Sequence, residues 1–234
     1  IQHYWHDGAR WRWFFGSDAA YLAGLQAQVP AEPELGAYED LEYARVNDIW
    51  TSIYDEAGAT YRPPNDVNTF SYLDLPIQTG CGRMSEEDYA EAFYCRLDEE
   101  IYFESNFRDI IKRQFGDYAW SFAISHEWGH HIQSIEGVEV SDNPEIDDGY
   151  YQIEIELQAD CMAGVFAQES VARDWATIAD LNDAYQVALF IGDRPDTQFD
   201  ARTAHGNGEQ RQLAFTTGLE DGVFGCNLLF DRGS

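Results

Sequence analysis

The amino-acid order predicts an α+β fold, mostly helical, with a small β-sheet beside one central helix. Two observations lead there. Apolar residues recur at helical spacing over five long stretches, and one short β-type run, Glu100 to Glu104, stands just ahead of the most distinctive of them. Hydrophobic residues make up 44% and aromatics 15% of 234 residues, enough for one sizeable core and too many for a disordered chain.

In chain order, residues 1–33 form an arm whose first stretch is crowded with Tyr4, Trp5, Trp11, Trp13, Phe14 and Phe15. Such a surface would be sticky if exposed, so the arm is expected to pack on the body. Pro30 and Pro33 punctuate the boundary, and residues 34–234 form the domain proper. Glu34 to Ala57 reads as a helix with Leu41, Ala44, Ile49 and Ile53 on one stripe, stopped by Gly58. Tyr61 to Leu75, with Pro63-Pro64, reads as extended structure, Glu100 to Glu104 as a strand, and Phe107 to Phe115 as a short helix. Phe115 to Ile135 reads as one helix, with a start signal at Gly116-Asp117, a stripe of Phe122, Ala123, Ile132 and Ile135, and a stop at Gly137. Glu154 to Ala167 is a further helical run. Asp174 to Ile191 spaces Trp175, Ile178, Leu181, Tyr185 and Leu189 for a buried face, and Gly208 to Gly218 is the last helix.

The charge is lopsided: 43 acidic against 14 basic residues, net −29, with Lys112 the single lysine. Such a surface repels phosphates and anionic lipid, which argues against nucleic-acid and membrane-surface partners. It suits a salty or otherwise screening setting outside the cell. No apolar run is long enough to span a bilayer. The start Ile1-Gln2-His3, without Met or signal peptide, fits a processed or trimmed chain. The acidic cluster Asp142, Glu145, Asp147 and Asp148 lacks the Asp-x-Asp pattern of a calcium loop and reads as solvated. Cys81, Cys95, Cys161 and Cys226 contain no Cys-x-x-Cys pair. Two disulfides in an oxidising, secreted or extracytoplasmic compartment are the better reading, with free buried thiols as the alternative.

Chemistry enters at Ser125-His126-Glu127-Trp128-Gly129-His130-His131. His126 and His130, four apart on a helix, stack on one face, where two neutral imidazoles can hold one Zn²⁺ per chain. Glu127 lies beside them to take a proton from an activated water. His131 lies about 100° further round from His130 and points elsewhere. His3 and His6 have no partner in the pattern. A zinc site needs a third protein ligand, and Glu156 and Asp160, again four apart, put two carboxylates on one face. One can ligate while the other accepts a hydrogen bond from a ligating imidazole.

These motifs resemble the gluzincins, in which a Glu on a following helix is the third ligand and an Asp four residues later supports a ligand histidine. The resemblance implies those roles for Glu156 and Asp160. More narrowly, the chain is similar to the putative neutral zinc metallopeptidase family of bacteria. The similarity rests on Gly80-Cys81-Gly82, Phe93 to Asp98, Ile101-Tyr102-Phe103, Ser125 to Gln133, Glu156 to Gly164, Ile191-Gly192-Asp193, His205-Gly206 and Gln210-Arg211. It implies a zincin-like domain in which a strand before the catalytic helix, here Glu100 to Glu104, lines the cleft and pairs with substrate. It also implies Cys81–Cys95, closing a short loop of the kind found before that helix. Cys161–Cys226, the remaining pair, would tie the ligand helix to the C-terminal tail. His205 matches a histidine that in thermolysin-like sites hydrogen-bonds the oxyanion. The alternative is a loop residue near Gly206-Asn207-Gly208 that caps the next helix.

The expected function is therefore zinc-dependent endopeptidase chemistry with Glu127 as general base. Two rivals stay open: hydrolysis of another bond, such as a cell-wall amide, and a catalytically silent zinc-binding scaffold or interaction protein.

Overall fold

The computed structural model describes residues 2–6, 11–15, 37–138, 140–141, 149–194 and 196–227. Among these are six α-helices and a small mixed sheet, so the fold is α+β and mostly helical. Strands β1 (Gln2–His6) and β2 (Trp11–Phe15) pair antiparallel. The rest of the 1–33 arm lies outside the described residues, as does the acidic stretch 142–148.

Helix α1 (Ala37–Ala57) buries Val46, Ile49, Trp50 and Tyr54, spaced as one helical face, and ends where Gly58 takes φ 70°. The chain then runs through β3 (Asp66–Phe70), the hairpin β4 (Ile77–Thr79) and β5 (Gly82–Met84), β6 (Ala92–Cys95) and β7 (Glu100–Glu104). The sheet order is β3-β7-β6, with β3 parallel and β6 antiparallel to β7. This corrects one expectation. The strand Glu100–Glu104 exists but is the central one, paired on both sides, and among the described residues β3 and β6 are the two edges. A disulfide, Cys81–Cys95, ties the β4–β5 turn to β6.

Helix α2 (Ser105–Phe115) starts where the Glu104 carboxylate accepts a hydrogen bond from the Phe107 amide at 2.6 Å. Helix α3 (Asp117–Ile135) is a separate element. Gly116, at φ 107°, breaks what the periodicity reads as one helix from Phe115. From Tyr118 to Gln133 every residue of α3 except His130 is buried, because the helix is covered on several sides. Phe103 of the sheet meets Trp120 edge-on at 4.9 Å.

Helix α4 (Gln152–Ala172) is nearly as buried. Helix α5 (Ile178–Phe190) begins later than its apolar spacing suggests. Asp174 sits at φ 57°, and the start is a Thr177/Asp180 capping box. Helix α6 (Gly208–Asn227) is longer than expected, kinked at Gly222, and pinned to α4 by the Cys161–Cys226 disulfide. Among the described residues no helix is long and apolar enough to cross a membrane.

Two glycines let α4 and α6 approach. A Cβ on Gly164 would stand 2.0 Å from the Phe215 carbonyl oxygen, and one on Gly218 would stand 1.8 Å from that of Cys161. Both obstacles are backbone, so neither can swing aside. Gly164→Ala is expected to destabilise by more than the roughly 1–3 kcal/mol typical of overpacking. Urea melts of Gly164→Ala and, as a control, of Gly58→Asn, which has open space and suits a left-handed φ, should separate by that amount. Equal midpoints would mean the helices can move apart at no cost.

Candidate metal centre

The site forms where α3 and α4 touch at their backbones. A Cβ on Gly129 would lie 2.9 Å from the Ala159 Cα, so only glycine permits this crossing. Its chain neighbours are His130 on one helix and Asp160 on the other, and one turn back lie His126 and Glu156. Local helical spacing sets each pair, and the crossing brings the pairs together.

One donor atom each from His126, His130 and Glu156 lie within 4.8 Å of one another. Glu156 Oε2 is 3.3 Å from His126 Nε2 and 3.7 Å from His130 Nε2. The two imidazoles stand nearly perpendicular, with centroids 4.7 Å apart. Each of the three is held from behind. His126 Nδ1 is 2.8 Å from Asp160 Oδ1. Arg211 of α6 grips that same carboxylate with two hydrogen bonds, Nε to Oδ2 at 2.8 Å and Nη2 to Oδ1 at 2.7 Å. His130 Nδ1 is 2.8 Å from Gln133 Oε1, and Gln152 Nε2 donates to Glu156 Oε1 at 2.7 Å. Sequence reasoning placed Asp160 here but missed Arg211, Gln133 and Gln152. Motif membership of Gln133 and Arg211 was the only available signal, and Gln152 had none.

Burial disfavours charge throughout this cluster, yet charge persists. It works to lower His126, but the Asp160 hydrogen bond and carboxylate charge push that ring up to about 10. Burial likewise works against His130, and Glu156 more than offsets it. Glu156 itself lies well below the usual carboxylate range: burial is outweighed by the two imidazoles, His130 first. These groups form a seat for positive charge, for which protons and a metal ion compete. Glu127 behaves in the opposite way. Burial raises its carboxyl above the ordinary value, and its Oε2 is buried without a hydrogen-bond partner.

The cluster floors a cleft of about 980 Å³. Its walls include Phe93 and Tyr94 of β6, Phe107, Phe122, Phe190, Arg211 and His205. His205 is outside the three-donor group and about half exposed. The backbone amides of His205 and Gly206 donate to Asp193 Oδ2 at 2.6 and 3.2 Å, which fixes the loop. His131 is fully buried and turned away, with Nε2 2.6 Å from the Arg62 carbonyl and Nδ1 3.2 Å from the Tyr94 hydroxyl.

The model of a family described as "Putative neutral zinc metallopeptidase" matches residues 16–228. A protein of Escherichia coli K12 named "Uncharacterized protein YpfJ" is 30% identical over 208 residues, covering 82% of this chain and 70% of that protein. "Uncharacterized protein Rv2575" of Mycobacterium tuberculosis H37Rv is 34% identical over 170 residues, covering 62% of this chain and 56% of that protein. No solved structure matches.

Proposed function

The chain belongs to the putative neutral zinc metallopeptidase family, and from that premise we propose that it is a zinc-dependent endopeptidase acting in an extracytoplasmic compartment. One observation carries the reading: the donor atoms of His126, His130 and Glu156 converge within 4.8 Å at the floor of a cleft. The donor set fits zinc, since two imidazole nitrogens and one carboxylate leave a fourth position open to the cleft. Zinc held there supplies Lewis acidity, which polarises a carbonyl oxygen and lowers the pKa of water.

The chain's own residues do the rest. Glu127, buried and with a free oxygen, takes a proton from the attacking water and returns it to the departing amine. His205, on the loop held by Asp193, donates a hydrogen bond to the oxygen that gains charge as the carbonyl becomes tetrahedral. Asp160 and Arg211 keep His126 oriented.

The free edge of β6 supplies the substrate's backbone partners. Glu91 O accepts from the Glu104 amide at 2.8 Å, so Glu91, and by alternation Phe93 and Cys95, face β7. Ala92 and Tyr94 therefore direct their main-chain groups outward, and an extended peptide docks there by strand addition. The two disulfides support the compartment, because such bonds persist where the milieu is oxidising.

The test is hydrolysis of a mixed peptide library by the purified chain, with metal content measured in parallel. One zinc per chain is expected. A chelator should stop hydrolysis, and one equivalent of zinc should restore it. Peptides left intact by a zinc-loaded chain would turn attention to other amide bonds.

A further inference from the structure

Resting on the zinc-site reading of His130, we propose that Gln133 and Gln158 form a one-way amide relay that fixes the tautomer of that histidine. Gln133 Nε2 lies 2.7 Å from the Ile155 carbonyl oxygen and 2.9 Å from Gln158 Oε1. Gln158 Nε2 in turn lies 3.4 Å from the Cys226 carbonyl oxygen. A main-chain carbonyl can only accept, so each contact with one identifies the glutamine atom facing it as nitrogen. Gln133 is therefore locked with its oxygen toward His130 Nδ1, 2.8 Å away. An amide oxygen can only accept, so Nδ1 carries the hydrogen and Nε2 is the nitrogen left to give a lone pair to a metal in the three-donor seat. Turning either amide over would set oxygen against oxygen in a place water does not reach, since Gln133 and Gln158 are 3% and 2% exposed.

The two histidines are thus oriented by different means. Behind His126 stands a carboxylate neutralised by Arg211. Behind His130 a carboxylate would add a further buried negative charge, close to Glu127 and Glu156, with no cation to match it. An amide supplies direction without charge. Gln133 and Gln158 are positioning residues, and Gln158 does not touch His130 at all.

The experiment measures Zn²⁺ affinity by competition with a chromophoric chelator, and the His130 Nδ1–H resonance of the zinc-loaded protein by long-range ¹H–¹⁵N spectroscopy. Gln133→Leu keeps the bulk and removes the acceptor, so zinc affinity should fall about 10–100-fold and the resonance should be lost to exchange. Gln158→Leu should weaken zinc in the same direction by a smaller factor, although the contact it removes is one residue away. Should Gln133→Leu not fold, the Gln158→Leu result decides. Wild-type affinity and an unchanged resonance in Gln158→Leu would overturn the relay and leave the peptidase reading standing. Weakened zinc in the relay variants of a chain that cleaves no peptide would have the opposite meaning.

Discussion

Glu127→Gln is expected to lose at least about 10²–10⁴ in hydrolysis rate while keeping one zinc per chain. The side chain is not among the three converging donors, so its loss as a base leaves the seat intact. Its role follows from its surroundings. Burial holds the carboxyl above the ordinary value, which makes its carboxylate a better proton acceptor. The unpartnered Oε2 is available to a water in the cleft. Glutamine keeps the shape and cannot accept that proton. Metal analysis and turnover on the same preparation check both halves of the expectation. A variant within about tenfold of wild type would remove Glu127 from the chemistry, since a general base is worth more than that.

Asp160→Ala should have the largest combined effect on stability and metal. Asp160 is fully buried and bonded both to His126 and, twice, to Arg211, itself 4% exposed. Removing it leaves a guanidinium in the interior without a counter-ion, a loss of roughly 3–5 kcal/mol. It also frees the His126 ring, and zinc affinity should fall about 10–100-fold. The double variant Asp160→Ala/Arg211→Met separates the two effects. Stability should largely return, because no buried charge is left over, while zinc affinity stays low. Recovery of both together would mean that Asp160 acts on the metal only through the fold.

What was legible in the sequence was mostly local. The spacings of His126 with His130 and of Glu156 with Asp160 define helix faces, and each face is made within a single turn. The helices themselves follow from apolar periodicity, with boundaries set by chemistry the periodicity does not carry. Gly116 cuts α2 from α3 through its backbone conformation. The Thr177/Asp180 box, a signal visible in the sequence but outweighed by the apolar stripe beginning at Trp175, starts α5. What escaped was non-local. Glu100–Glu104 reads as a strand, but whether it is central or edge depends on β3 and β6, both of which pair with it. Arg211 lies 51 residues from Asp160, and no spacing rule connects them. Gln133 and Gln152 look like any polar helical residues until the main-chain carbonyl and carboxylate they face are known.

The arrangement of α4 and α6 sets an order of events during synthesis. His126, His130 and Glu156 leave the ribosome before anything that steadies them from α6. Until Arg211 arrives, Asp160 has no cation beside it. Until Cys226 arrives, Cys161 has no partner and Gln158 has no carbonyl on which to end. At about 5–20 residues per second, the 70 residues from Glu156 to Cys226 (226 − 156) take several seconds to appear. During that interval the nascent chain has the metal-seat side chains but not the frame that aims them. Under the proposed function, a centre that waits for α6 to aim its side chains would spare the unfinished polypeptide within its reach, its own included.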